Sequence, residues 1–300
     1  MERFIDPKTL ARVKDMPLVA RSVAEGFLSG IQPSQQRGVG IEFSQYRPYD
    51  VGDEPKRIDW KLFARSDRYF VREAERESEI ATWIVVDCSR SMAQRSDDGA
   101  WDKSSYARHL AATIAYIAQR QGDMPGLVLL NTENQQLVPP AVGERQWHRI
   151  LKALHGAPAA GRFPDGDAVL SMVRRLQLPG LVVVISDFHE RQDELLTFMR
   201  GVATSRNDVI ALQLLCSDET VFPYRGAVNF EDLETGERLL VSAKTARSSY
   251  LEALDSYESR LSRSMARLDV DLETVDIDQP LDAALHAFLK RRLRYNRSGR

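Results

Sequence analysis

From residue 80 onward the chain alternates short β-branched runs with segments of helical period, and this alternation constrains the fold more than any other feature. The runs are IATWIVV (80–86), GLVLL (126–130), LVVVI (181–185), VIALQLL (209–215) and VDLETV (270–275). Each is nearly continuous in apolar residues, as strands buried on both faces of a parallel sheet must be. Between them Ala107, Leu110, Ile114 and Ile117 share one helical stripe. Leu195, Met199 and Val202 form a second, and Leu251, Leu254, Leu261, Met265 and Leu268 a third. Pro280 before Leu281, Leu285 and Phe288 marks a helix with proline in its first turn. The pattern predicts a doubly wound, Rossmann-like α/β sandwich over 80–280, then a C-terminal helix and basic tail over 281–300. Two hairpins break the alternation: 127–130 with 136–138, and an insertion near 227–242 that turns at Thr235-Gly236.

Residues 1–79 differ in character and form a helical and β extension, with a helix over 8–30 interrupted by Pro17 and closed by Gly30. Over 37–79, nine Lys/Arg interleave with ten Asp/Glu, which argues against a nucleic-acid stripe and for paired surface charges or a polar docking face. The whole chain has a net charge of −2, so nothing draws it globally to nucleic acid or to anionic membrane. Cys88 and Cys216 are too far apart for a zinc pair or a disulfide framework and suit a reducing compartment. The opening MERFIDPKTLARVKDM lacks the apolar core of a secretory signal, and no stretch reaches the roughly 20 apolar residues of a membrane span. A cytoplasmic protein is expected. The basic end KRRLRYNRSGR (290–300) is expected to be a solvated helix end whose cations suit the macrodipole, trailing into a tail.

The chemistry concentrates at strand ends. VDCSRSM delivers Asp87, Ser89 and Ser91 where the first central strand stops, and Ser186-Asp187 follows LVVVI. In an open α/β sheet, ligands bind at the carboxyl ends of strands where strand order reverses. Two carboxylates and two or three hydroxyls there make a hard oxygen set that suits Mg²⁺. The plainer alternative is that these residues cap the following helices and satisfy loop amides. An aspartyl-phosphate hydrolase would need an acid two residues after Asp87, where Ser89 stands. There is no Walker loop, no paired-histidine metal motif, and no identifiable base for a serine nucleophile; His189 reads as a loop residue.

D-x-S-x-S after one strand and Asp after another resembles the metal-ion-dependent adhesion site of von Willebrand factor A domains. The upstream segment is more specific. R-P-Y-x-x-G-D (Arg47 to Asp53), R-x-I-D-W-K (Arg57, Asp59, Trp60, Lys61), A-R (Ala64, Arg65), V-R-E (71–73) and E-T-G-E (234–237) resemble the bacterial family called domain of unknown function 58, over roughly residues 25–280. The resemblance implies a von Willebrand A-type sandwich behind an N-terminal β/α extension, working as an adaptor or chaperone component with a MoxR-type AAA+ ATPase. It implies Mg²⁺ held by Ser89, Ser91 and a threonine from another loop, with Asp87 and Asp187 acting through water and a partner carboxylate in the open position. The loop expected to bring the threonine, GRFPDGDAVL (161–170), has none. Either Asp165 or Asp167 replaces it, tightening metal binding and weakening the pull on a partner carboxylate, or Asp165 only caps the next helix. Arg47, Asp53, Arg57, Asp59 and Arg65 form either a docking face or mutually paired charges that fix the extension, and Trp60 is expected to be a packing anchor. The reading is a non-enzymatic protein-interaction module that binds a MoxR-type ATPase or its client through a Mg²⁺-dependent loop face. A metal-assisted hydrolase using the same carboxylates, and a scaffold with a vestigial metal site, are the alternatives.

Overall fold

The computed structural model describes residues 15–35, 45–48, 60–66, 68–73, 80–96, 99–133, 135–176, 178–189, 194–205 and 207–298. The chain divides into two compact units: Met1–Gly26 together with Glu79–Arg300, and Phe27–Ser78. Helix α1 (Met16–Gln35) runs from the first into the second. The part of the expected helix before Pro17, over 8–14, lies outside the described residues. Asp15 caps the helix, its Oδ1 accepting the Leu18 N–H at 3.1 Å, so Pro17 falls in the first turn, where no N–H is needed. The helix then continues through Gly30 to Gln35.

In the smaller unit β1 (Gln45–Pro48) pairs antiparallel with β2 (Phe70–Glu73), with Arg47 opposite Val71, and α2 (Trp60–Ser66) lies between them in sequence. Phe63 stacks on Tyr69 with centroids 4.5 Å apart, and Trp60 meets both rings edge-on. Trp60 packs on these rings while 59% exposed, so the aromatic cluster it joins is open on one side. Arg47 stands on β1, and Arg65 is exposed in the last turn of α2, where its charge suits the helix dipole. Asp53, Arg57 and Asp59 lie outside the described residues.

The larger unit is built on β3 (Ala81–Asp87), β4 (Met124–Leu130), β5 (Gln135–Val138), β6 (Gly180–Ser186), β7 (Asp208–Leu215) and β10 (Asp271–Asp276). They form one sheet in the order β10-β7-β6-β3-β4-β5, parallel throughout except for the β4–β5 hairpin. This is the doubly wound order, and it reverses between β3 and β6. Every residue of β3 and β6 is buried, because helices cover both faces. On one face α5 (Gly166–Arg175), α6 (Glu194–Ala203) and α8 (Ala243–Arg267) bury Met172, Phe198, Met199, Leu261 and Met265 against Trp83, Val85, Val182 and Val184. On the other lie α3 (Lys103–Arg120), α4 (Glu144–His155) and α9 (Asp282–Ser298), whose Leu110, Ile114, Ile150, Leu285 and Phe288 are fully buried. A buried Leu or Ile of this kind contributes roughly 1.5–3 kcal/mol. The third predicted stripe is only partly internal: Leu261 and Met265 are buried, whereas Leu251 and Leu254 in the leading half of α8 are half-buried.

After β7 come a short helix α7 (Ser217–Val221) and the hairpin β8 (Ala227–Glu231) and β9 (Arg238–Ser242), whose strands pair only with each other. Gly236 has φ +74°, and the Asp232 carboxylate accepts the N–H groups of Glu234 and Thr235 to set the turn. The basic C-terminus differs from the solvated end expected. Arg291 and Arg292 are buried, Arg292 forking onto Asp123 (2.5 and 2.8 Å) and Arg291 bonding Asp208 (3.2 Å) and the Asp269 carbonyl (2.9 Å). They fasten α9 to the amino ends of β4, β7 and β10. Among the described residues no helix is long and apolar enough to cross a membrane.

Candidate functional site

The carboxyl ends of β3 and β6, the point where strand order reverses, bring four of the predicted residues together. Asp87 ends β3 and is 3% exposed. Its Oδ1 accepts the Ser89 N–H at 2.8 Å and its Oδ2 the Ser186 hydroxyl at 2.6 Å. The Ser186 Oγ in turn accepts the Phe188 N–H at 2.9 Å, so the two strand ends are tied through one hydroxyl. Ser89 and Ser91 lie with their Oγ atoms 3.0 Å apart. Asp187, fully buried, accepts the His189 N–H at 3.1 Å. Phe188 takes a left-handed conformation (φ +59°), and its carbonyl accepts the Tyr257 hydroxyl of α8.

A cation unforeseen from the sequence sits in this cluster. Lys103, the first residue of α3, is 0% exposed, with Nζ 3.0 Å from Glu219 of α7, 3.4 Å from Asp187 and 3.3 Å from the Gln94 side-chain oxygen. Glu219 spends its other oxygen on the Cys216 N–H, at 2.7 Å. His189 Nδ1 stands 3.6 Å from Asp187 and 3.8 Å from Glu219. Burial alone would pull the lysine down, yet Asp187 and Glu219 outweigh it and hold the ammonium above its ordinary range. Burial likewise works against ionised Asp187, but Lys103 and then His189 hold its carboxyl below the usual range. Asp87 is different: burial, reinforced by the charge of Asp187, raises it to about 7 despite its bonds to Ser186 and Ser89. One carboxylate is thus compensated by the chain and the other is not.

Asp165 and Asp167 do not join the cluster. Both are exposed at the start of α5, where Asp165 is the N-cap residue, its carbonyl accepting the Ala168 N–H while its side chain makes no cap bond. The loop that reaches the site does so by backbone: the Ala160 N–H donates to Cys88 and the Arg90 N–H to Gly161. Gly161 has φ +62°, and a Cβ there would meet Thr132 Oγ1 at 2.5 Å. Among the described residues no three His, Cys, Asp or Glu side chains gather to hold a metal. A divalent ion would therefore rest on Asp87, Asp187, Ser89 and Ser91, with water completing the shell. Mg²⁺ accepts that donor set. Asp87, which meets no cationic side chain among the described residues, and the Ser89–Ser91 hydroxyl pair are the donors that suit such an ion, whereas Asp187 already pairs with Lys103.

Above Ser91 the surface opens into a groove of about 720 Å³ between the Ala93–Arg95 segment, Tyr257 and the turn of the β8–β9 hairpin, with His189 at its floor. Sequence reasoning missed Lys103, Glu219 and the closeness of the hairpin. Lys103 carried a signal, since it lies four residues before Ala107 and continues the apolar stripe of α3.

Comparison with known proteins extends the reading. The chain is 27% identical over 295 residues to the uncharacterized protein Rv1480 of Mycobacterium tuberculosis, covering 96% of this chain and 91% of that protein. Among solved structures it is similar to an aerotolerance-related membrane protein from Bacteroides fragilis (15% identity, TM-score 0.48, 72% of this chain and 99% of that one). It is also similar to the SpRpn10 VWA domain (14% identity, TM-score 0.38, 69% and 93%). The model of the family described as protein of unknown function DUF58 matches residues 45–260, most of the chain, and the protein belongs to that family.

Proposed function

We propose that the protein is a non-enzymatic protein-interaction module whose binding face is the loop cluster at the β3–β6 switch point. Mg²⁺, held by Asp87, Ser89, Ser91 and Asp187, orders that face. The observation that carries this reading is the convergence of those four residues beneath an open groove, with Asp87 buried and bonded to the Ser89 N–H and the Ser186 hydroxyl. Nucleophilic chemistry finds little support in the same atoms. Lys103 is held as an ammonium between two carboxylates, and the serine hydroxyls bond to one another. Within this reading the partner is the class that the family resemblance implies, a MoxR-type AAA+ ATPase or its client, and the place of action is the cytoplasm.

The test is crosslinking capture with wild type and Asp87→Ala, each in Mg²⁺ and in EDTA, quantified by mass spectrometry. The reading expects partners enriched at least about tenfold with wild type in Mg²⁺ and lost in the other three arms. A partner set retained in all four arms would move binding to the 37–79 segment and leave the loop as scaffold. Metal-dependent phosphoester turnover lost in Asp87→Ala would favour a hydrolase instead.

A further inference from the structure

Strand β10 is an edge of the main sheet. Among the described residues it pairs with β7 alone, Thr274 standing opposite Gln213. Ile277, just past the strand, gives its N–H to the Leu215 carbonyl at 2.9 Å. Alternation along the strand then turns the N–H and C=O groups of Leu272 and Thr274 away from β7, toward the open side. Beside this edge, between it and α8, lies a groove of about 650 Å³ whose lining includes Leu272, Thr274 and Gln213. The groove holds an unused donor. Gln213 is 1% exposed, its Oε1 accepts the Thr274 hydroxyl at 3.2 Å, and its Nε2 has no partner among the described residues. A buried donor left without an acceptor costs about 1–3 kcal/mol, so the groove favours an occupant that brings an oxygen to it.

The wall of the groove on α8 is polar from end to end. Arg263 bonds the Ser259 carbonyl through Nε at 3.0 Å and meets no carboxylate among the described residues. Asp255 and Glu258 line the other end, where burial and then the charge of Asp255 hold the Glu258 carboxyl above its usual range, a repulsion that a cation would relieve. Asp255 and Arg263 are eight residues apart in α8, about 12 Å. About four residues of extended chain cover that distance and return a side chain to the same face. A second copy of this chain fits the edge poorly, because it would lay Asp271, Glu273 and Asp276 of one β10 along the same three acids of the other. We infer that the β10 edge takes an extended segment of a partner protein as a further strand, with an oxygen-bearing side chain set against Gln213. Main-chain bonds to Leu272 and Thr274 hold such a segment, and an acid and a base about four residues apart on its groove side match Arg263 and the Asp255–Glu258 end. The edge is built without Asp87, Ser89, Ser91 or Asp187, and the inference goes beyond the function proposed for them.

The experiment is selection of a random dodecapeptide display library on the immobilised full-length protein in EDTA. Synthetic versions of the enriched peptides are then measured by fluorescence anisotropy and by NMR-detected amide exchange. The expected result is that bound peptide slows exchange of the Leu272 and Thr274 N–H groups at least about tenfold, and that Gln213→Met and Thr274→Pro each weaken Kd at least about tenfold. Thr274→Pro removes an N–H that serves no bond within the sheet, and Gln213→Met keeps the length of the side chain; melting temperatures are checked in parallel. The exchange measurement needs neither variant. No enriched peptide, peptides that bind without slowing Leu272 and Thr274, or binding indifferent to Gln213→Met overturns the inference. Protection of the same amides that grows with protein concentration alone would make a second copy the occupant and overturns it too. Because every arm is read in EDTA, its failure leaves the Mg²⁺-dependent capture by Asp87 to stand or fall separately.

Discussion

Replacing Arg292 with alanine removes a guanidinium that grips Asp123 with two parallel bonds, Nε to Oδ2 at 2.5 Å and Nη2 to Oδ1 at 2.8 Å. Asp123 is buried in the turn between α3 and β4, so its carboxylate loses its bidentate partner where water enters poorly. Breaking a buried pair from one side costs about 3–5 kcal/mol, and the lower end applies because Arg292 sits at the rim of the core. For a unit of this size about 3 kcal/mol lowers the melting temperature by roughly 6–12 °C. Arg292→Lys keeps the charge but not the fork and should lose about half as much. Urea denaturation of Arg292→Ala, Asp123→Ala and the double variant supplies a thermodynamic cycle. The coupling energy should exceed about 1.5 kcal/mol, because the double variant strands no charge. A cost below about 1 kcal/mol for Arg292→Ala with an unchanged urea slope, or strict additivity, would show that the apolar stripe alone docks α9 and that the reasoning about its arginines is wrong.

Lys103→Met leaves Asp187 and Glu219 buried without the ammonium between them and should destabilise the protein by about 3–5 kcal/mol, part of which Lys103→Met/Glu219→Gln recovers; urea titration reads both. His109 is half-buried against Trp101, its Nδ1 2.8 Å from the Ser105 carbonyl and its Nε2 without a partner among the described residues, and desolvation holds its pKa below the ordinary 6.5. The unfolded chain therefore takes up the proton first. The His109 contribution to stability is complete above about pH 6.5 and declines as pH falls below it, so the loss between pH 7.5 and 5.5 should be smaller in His109→Gln than in wild type. Gly180→Ala places a Cβ 2.0 Å from the Ala81 carbonyl oxygen at the β3–β6 seam and should cost about 3 kcal/mol or more, seen as loss of soluble protein or a steep drop in melting temperature.

The strands were readable because a residue buried on both sides of a parallel sheet leaves no polar alternation, and 80–86 and 181–185 have none. The hairpin turn at Gly236 was readable because a positive φ favours glycine. Asp87, Ser89, Ser91 and Asp187 could be placed together because the strand order forces those two strand ends side by side. Lys103 and Glu219 could not, since a charged residue reads as solvent-facing until its partner, 116 residues away in the case of Glu219, is known to be buried with it. The same limit applies to Arg291 and Arg292, whose carboxylate partners come from three separate turns and strands. Asp165 and Asp167 failed for the converse reason. Nearness in sequence to the arriving loop says nothing of direction, and the contacts are made by the backbone of Ala160 and Gly161.

The β8–β9 hairpin is sealed at its base. The Ala243 N–H donates to the Gly226 carbonyl at 2.9 Å, so the chain leaves the insertion almost where it entered. No strand of the main sheet depends on it, while its tip carries the acids beside the groove, and Leu239 and Leu240 stand 64% and 71% exposed along its second strand. Such a segment behaves as an exchangeable cassette. Sequence change in 227–242 can reshape the rim of the groove at little cost to the Rossmann-like frame, and a chimaera that swaps only this ribbon between two paralogues should keep the stability of the host frame.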